Sequence, residues 1–350
     1  MKTYSIALIP GDGIGKEVVP AASRVLDKAA ALGGFELSYS SFGYSCELYA
    51  REGHMMPPDA LERLREHDSI FLGAVGYPGV PDHVSLWGLL IPIRRGFEQY
   101  VNLRPVRLLD GIESPLKNPG DIDFYIVREN NEGEYSSIGG KLYEGTDAET
   151  VVQESIFTRR GVDRVMRYAF ELANSRKKHL TSATKSNGII HTMPYWDERF
   201  AAMSEYYPDV QTDQYHIDIL TAHFVGRPAS FDVVVASNLF GDILSDLGPS
   251  VAGGMGVAAG GNINPPRDYP SMFEPVHGSA PDIAGQGVAN PIACIWTGAM
   301  MLEHLGQKEA ADAIVTALEK VTGEGKTVTR DLGGAASTDE AADAVIAALG

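Results

Sequence analysis

The sequence predicts an α/β fold in which a mostly parallel sheet is covered by helices. Three observations lead there. Strand-length apolar runs alternate with helix-period segments from the start, Gly, Pro and Asn punctuate the elements, and the middle of the chain carries an α/β unit of its own. Residues 5–10, SIALIP, read as the first strand, and residues 15–33, GKEVVPAASRVLDKAAALG, as an amphipathic helix. Strand 35–42, helix 56–68 and strand 69–76 follow. In the first turn glycines stand at 11, 13 and 15, whereas the dinucleotide fingerprint Gly-x-Gly-x-x-Gly needs its third where Lys16 stands. Glu36 lies at roughly the distance of a ribose-binding acid, so spacing alone leaves the role of this turn open.

The second unit comprises segments 121–130, 158–178, 178–187, 193–208, 215–228 and 231–248. Between Arg128 and Thr158 a polar stretch with interspersed Tyr and Val fits a protruding β-hairpin arm of the kind that joins subunits. Residues 248–270 are too rich in Gly and Pro for regular structure, and helices then run to the end. From Ile283 to Leu302 no charged residue occurs over 20 positions, the length of a membrane span. Gln286, Asn290 and Pro291 break it, and Asn-Pro makes a good helix start, so a loop and then a buried helix from Pro291 are expected.

The 350 residues suffice for two lobes, and 44% apolar with 21% charged residues is ordinary for a globular protein. Against 29 Lys and Arg stand 46 Asp and Glu, a formal charge of −17, which repels nucleic acid and anionic membranes. In such a chain a basic cluster is informative. Two cysteines, Cys46 and Cys294, form no disulfide framework, and no leader precedes the first strand, so a cytoplasmic protein is expected.

Three segments carry chemistry. In DVVVASNLFGDILSDLG a buried strand leads into a helix with Asp242 and Asp246 on one face. Like charges four apart oppose a helix by about 0.2–0.5 kcal/mol, which a divalent cation such as Mg²⁺ or Mn²⁺ offsets. Arg94, Arg95, Arg104, Arg107 and Arg128 form a cationic group, of which Arg94, Arg104 and Arg128 can clamp a dicarboxylate bidentately. Residues 274–291, EPVHGSAPDIAGQGVANP, predict a fixed loop whose backbone amides face a ligand.

These segments, with GDGIG and NLRP, resemble the metal-dependent decarboxylating dehydrogenases that act on isopropylmalate, isocitrate, tartrate and D-malate. The resemblance covers essentially the whole chain. It implies an isopropylmalate dehydrogenase-like two-lobe fold, a mixed sheet flanked by helices and not the Rossmann fold. The first lobe would combine residues 1–99 on the cofactor side with 253–350 and its NAD-binding loop. Residues 100–252 would form the second lobe, with the dimerisation arm and the metal and substrate residues. By matching positions, Asp242 and Asp246 would be metal ligands from one subunit of a homodimer, with Asp218 from the other. Lys185, also reaching across, would serve as or relay to the general base, helped by neighbouring cations that lower a lysine's pKa, and Tyr135 would protonate the enolate carbon. Arg94, Arg104 and Arg128 match the carboxylate clamp, and His277, Gly278, Ser279, Ala280, Asp282 and Asn290 the cofactor loop. Where NADP-dependent isocitrate enzymes carry Lys and Tyr, this chain has Asp282 and Ile283, which implies NAD.

The substrate wall SLWGLLIPIRR, with Trp87, Leu89, Leu90 and Ile91, lacks the small polar groups that receive isocitrate's third carboxylate. Of these, Trp87 and Leu90 are the candidate substrate contacts. The Gly-Leu-Leu stretch is shared with isopropylmalate enzymes, but Trp87, Pro92 and the pair Arg94-Arg95 look most like the tartrate and D-malate branch. The resemblance thus implies an NAD-dependent, Mn²⁺- or Mg²⁺-requiring, K⁺-assisted dehydrogenase and decarboxylase of tartrate and D-malate. The alternatives are 3-isopropylmalate dehydrogenase and, remotely, a silent scaffold relative.

Overall fold

The computed structural model describes all 350 residues. Its strands are β1 (Lys2–Gly11), β2 (Phe35–Ser41), β3 (Ser69–Ala74), β4 (Val101–Arg107), β5 (Asp123–Glu129), β6 (Gly139–Leu142), β7 (Thr150–Gln153), β8 (His179–Thr184), β9 (Gln211–His216), β10 (Val233–Ala236), β11 (Gly261–Ile263) and β12 (Ser271–Phe273). Ten of them form one mixed sheet in the order β2-β1-β3-β12-β11-β4-β5-β10-β8-β9. Both flanks are parallel, and the centre, β12-β11-β4-β5, is antiparallel. One half of the sheet therefore comes from the two ends of the chain and the other half from its middle. They meet where β11 pairs with β4.

The parallel strands read as continuous apolar runs because helices cover both faces; every residue of β3 is buried. Helix Gly15–Gly33 buries Val18, Val19, Val25 and Leu26 at helical spacing. In helix Ile292–His304, Ile292 to Leu302 are all buried. At about 1.5–3 kcal/mol for each large side chain, that helix is bound into the core. No helix is long and apolar enough to cross a membrane. Its start also follows the sequence: Asn290 Oδ1 accepts the Ile292 N–H at 2.9 Å.

The expected arm is present. β6 and β7 pair antiparallel from Gly139–Gln153 to Leu142–Thr150 and are wholly exposed. Three expectations change. The Gly-rich stretch 248–270 holds the end of helix Asn238–Val251 and strand β11, because at the crowded centre only small residues fit: a Cβ on Gly261 would lie 2.9 Å from the Phe273 ring. Helix 56–68 shortens to Ala60–Arg65, and residues 82–96 form an additional helix whose middle, Leu86–Leu90, is a π turn.

The opening glycines make a packed turn. With φ at +72° for Gly11 and +52° for Gly13, a Cβ would lie 1.9 Å from the Ala74 carbonyl oxygen and 2.0 Å from that of Ser279. Between them the buried Asp12 accepts the N–H groups of Cys46, Glu47 and Gly76 at 2.9, 3.0 and 3.1 Å. The turn thus seats the Ser279 loop against β3.

Candidate active site

β4 and β5 set out the cationic cluster. Their register pairs Asn102 with Arg128 and Arg104 with Ile126, so Arg104 and Arg128 share one face of the sheet. Helix Asn238–Val251 covers that face after the buried strand β10. Asn238 Oδ1 accepts Arg128 Nε and Nη2 at 3.1 and 2.8 Å, while Arg128 Nη1 pairs with Asp242. Gly241 permits this approach, since a Cβ there would lie 2.5 Å from Arg128 Cβ and Cγ. From the helix at 91–96, Arg94 Nη2 donates to Glu274 Oε1 at 2.6 Å, with both side chains buried.

Three guanidinium groups are therefore out of water around two carboxylates. Burial pushes Arg104 down to about 10 against the opposing pull of Glu274, and it also lowers Arg128. Glu274 and Asp242 are pushed up by burial, but Arg94 and Arg104 hold the first, and Arg128 with the Tyr135 hydrogen bond the second, below their ordinary values. Arg94 Nε and Arg104 Nη1 are buried without a partner. A dicarboxylate supplies the acceptors that such donors require.

Tyr135 donates from its hydroxyl to Asp242 Oδ2 at 2.6 Å. Burial, then that hydrogen bond, push the phenol up to about 12, so it holds its proton at neutral pH. One turn on, Asp246 is exposed and has no side-chain partner; partial burial and the charge of Asp242 raise its carboxyl. Two carboxylates on one face, with lone pairs remaining, match the oxygen chemistry of Mg²⁺ or Mn²⁺. Within one chain no three His, Cys, Asp or Glu side chains converge as a metal site. Asp218 instead accepts Lys185 Nζ at 2.7 Å, because the two follow the adjacent parallel strands β9 and β8. That hydrogen bond lowers the Asp218 carboxyl. Within one chain the partner of Lys185 is thus an acid.

Trp87 is 39% exposed, and Arg95 lies over its ring at 5.2 Å. Leu90 is half-buried against the core cluster that contains Leu89 and Ile93. In the 277–290 loop, His277 Nδ1 lies 2.8 Å from the Gly278 carbonyl oxygen and its buried Nε2 has no partner. Burial lowers this histidine, so the ring is neutral and Nε2 is an unused acceptor when Nδ1 donates. Such an atom fits the amino group of an adenine. Gly278 and Ala280 take positive φ, and the Ser279 carbonyl accepts Ile14 N–H at 2.9 Å. Asp282 is exposed, whereas Asn290 Nδ2 is engaged by Asp331 at 2.8 Å.

Sequence reasoning missed Glu274, although it begins the quoted loop, because an acid gains its meaning only from the arginine it meets. It also missed Asn262, whose amide joins Asn102, Asn130 and Glu274 across the seam. Glu17, which accepts the N–H groups of Gly285 and Gly287, carried one signal: it follows the glycine turn directly.

The description "Isocitrate/isopropylmalate dehydrogenase" belongs to a family whose sequence model matches residues 5–345. D-malate dehydrogenase (decarboxylating) of Escherichia coli strain K12 is 60% identical over 355 residues, covering 99% of this chain and 98% of that protein. Tartrate dehydrogenase/decarboxylase of Pseudomonas putida is 56% identical over 354 residues, covering 98% and 97%. Among solved structures, isocitrate dehydrogenase from Methylococcus capsulatus superimposes with a TM-score of 0.89 at 34% identity, covering 99% of each chain. With the mixed sheet, the arginine cluster and this full-length similarity together, the chain belongs to the isocitrate/isopropylmalate dehydrogenase family.

Proposed function

We propose that the protein is an NAD-dependent, divalent-metal-dependent dehydrogenase and decarboxylase of D-malate and tartrate, converting D-malate to pyruvate, CO₂ and NADH. The observation that carries the reading is the convergence of the buried Arg94, Arg104 and Arg128, the first two with an unpartnered N–H each, beside Asp242 and Tyr135. The similarity to D-malate and tartrate enzymes supports the four-carbon substrates.

NAD would supply the hydride acceptor, and Asp242, Asp246 and Asp218 of the partner subunit would hold Mn²⁺ or Mg²⁺, which would withdraw charge from the substrate's oxygens. The arginines hold the carboxylates and orient the carbon that loses hydride. Lys185 of the partner subunit takes the hydroxyl proton directly or by relay. After CO₂ leaves, Tyr135, kept protonated by its surroundings, donates to the new carbanionic carbon. His277 Nε2, the 278–280 backbone, Asp282 and Asn290 hold the adenosine, and the Asp282 carboxylate repels a 2′-phosphate. Trp87 and Leu90 limit the pocket, and K⁺ assists.

Exposed Ile219, Val225 and Ile243, on the helices that carry Asp218 and Asp242, together with Leu142, Val151 and Val152 of the arm, support a homodimer with shared sites. Residues 1–99 and 253–350 form the first lobe and residues 100–252 the second, a division supported by the order of the strands. Buried, unpaired Cys46 and Cys294 support a cytoplasmic location. The test is NADH formation with D-malate, the tartrate isomers, 3-isopropylmalate and isocitrate, each with Mn²⁺ and K⁺. D-malate or tartrate is expected to be turned over fastest. Turnover of 3-isopropylmalate far above both would reassign the substrate, and no turnover at all would favour a silent relative.

A further inference from the structure

Arg95 takes no part in the chemistry proposed above, yet it touches two groups that do. Its Nη2 donates to the Tyr135 carbonyl oxygen at 2.6 Å, and its guanidinium lies over Trp87 at 5.2 Å. The helix is built for the second contact. Residues eight apart point about 80° away from each other on a regular α-helix. The π turn at Leu86–Leu90, where Ile91 N–H donates to the Leu86 carbonyl, absorbs one residue and brings them to within about 20°. The neighbouring Arg94 points elsewhere, to Glu274. Tyr135 is thereby fixed at three points: its hydroxyl on Asp242, its ring 5.4 Å from the Arg128 guanidinium, and its carbonyl on Arg95. Of the three, only Arg95 comes from the chain segment before residue 100.

We propose that Arg95 is a positioning residue that ties the pocket wall at Trp87 to the proton donor Tyr135 and sets the rate of proton delivery to carbon. A planar guanidinium does both tasks at once, stacking on an indole while its edge donates to a carbonyl. An ammonium in its place can donate but stacks poorly. The proposal rests on the role given to Tyr135 above.

The test follows the exchange of pyruvate methyl protons for deuterium in D₂O by NMR, with enzyme, Mn²⁺ and NADH, beside steady-state kinetics with D-malate. Arg95→Met is expected to lower exchange and kcat together, by about tenfold, with the KM for NAD unchanged, and Arg95→Lys to lie between it and the wild type. Wild-type exchange in Arg95→Met, with exchange abolished in Tyr135→Phe, would overturn the role of Arg95 alone. Full exchange in Tyr135→Phe would overturn the tyrosine's role and this inference with it. A rise in the KM for NAD as large as the loss of exchange would mark a general loosening of the cleft and also overturn it.

Discussion

Asp242 and Asp246 could be read from spacing because a helix of known period leaves no doubt which side chains share a face. Arg94, Arg104 and Arg128 could be read as a group only through their number in an acidic chain; their convergence depends on strand register, which no local pattern states. Gly241 and Glu274 were silent, since the space one leaves and the charge the other supplies are defined by Arg128 and Arg94. Glu129 was silent too, and it makes a prediction of its own. It is 1% exposed and accepts Asn131 and Glu132 N–H groups at 2.9 Å each. Burial pushes its carboxyl from 4.5 up to about 7, against the pull of those N–H groups. Between these values the folded protein keeps a proton that the unfolded chain has lost, so this residue's contribution to stability declines as pH rises through that window. Glu129→Gln is therefore expected to flatten the dependence of Tm on pH there. An unchanged slope would assign it to other groups.

Long elements with a clean period were legible, among them helix Gly15–Gly33 and helix Arg159–Ser175. Short ones were not. β11 and β12 have three residues each, too few to show alternation, and β4 contains Pro105, which argues against a central strand. The proline is tolerated because β11 pairs only with residues 101–103 of β4. The arm was legible as a hairpin, but a two-stranded ribbon with exposed Leu142, Val151 and Val152 gains stability only against another surface. The helix Asn238–Val251 makes the prediction at this scale. Asp246 has no side-chain partner, so Asp246→Asn is expected to leave Tm nearly unchanged and to weaken Mn²⁺ binding, measured by electron paramagnetic resonance, by at least the roughly 10–100-fold that loss of a group supporting a ligand costs. Wild-type affinity would remove Asp246 from the metal site.

At the scale of the molecule, the seam between β11 and β4 joins the chain's ends to its middle, and the arginine cluster with Glu274 and Asn262 lies across it. No sequence period encodes that arrangement; it was legible only through the family's long motifs. Lys185 and Asp218 pair with each other in one chain, and the reading of a shared site requires them to face Asp242 of a second copy. Lys185→Ala and Asp242→Asn are each expected to be inactive, and hybrid dimers assembled from the two to regain activity, because one site per dimer then carries neither substitution. Hybrids as inactive as their parents would place each complete site within one chain.

The chemistry itself is tested most directly by product stoichiometry. With D-malate, NAD and Mn²⁺, the protein is expected to release NADH, CO₂ and pyruvate in equal amounts, and none of them once the metal is chelated or Asp242 is replaced by Asn. NADH without CO₂, or pyruvate formation that survives both treatments, would contradict metal-dependent oxidative decarboxylation at this site.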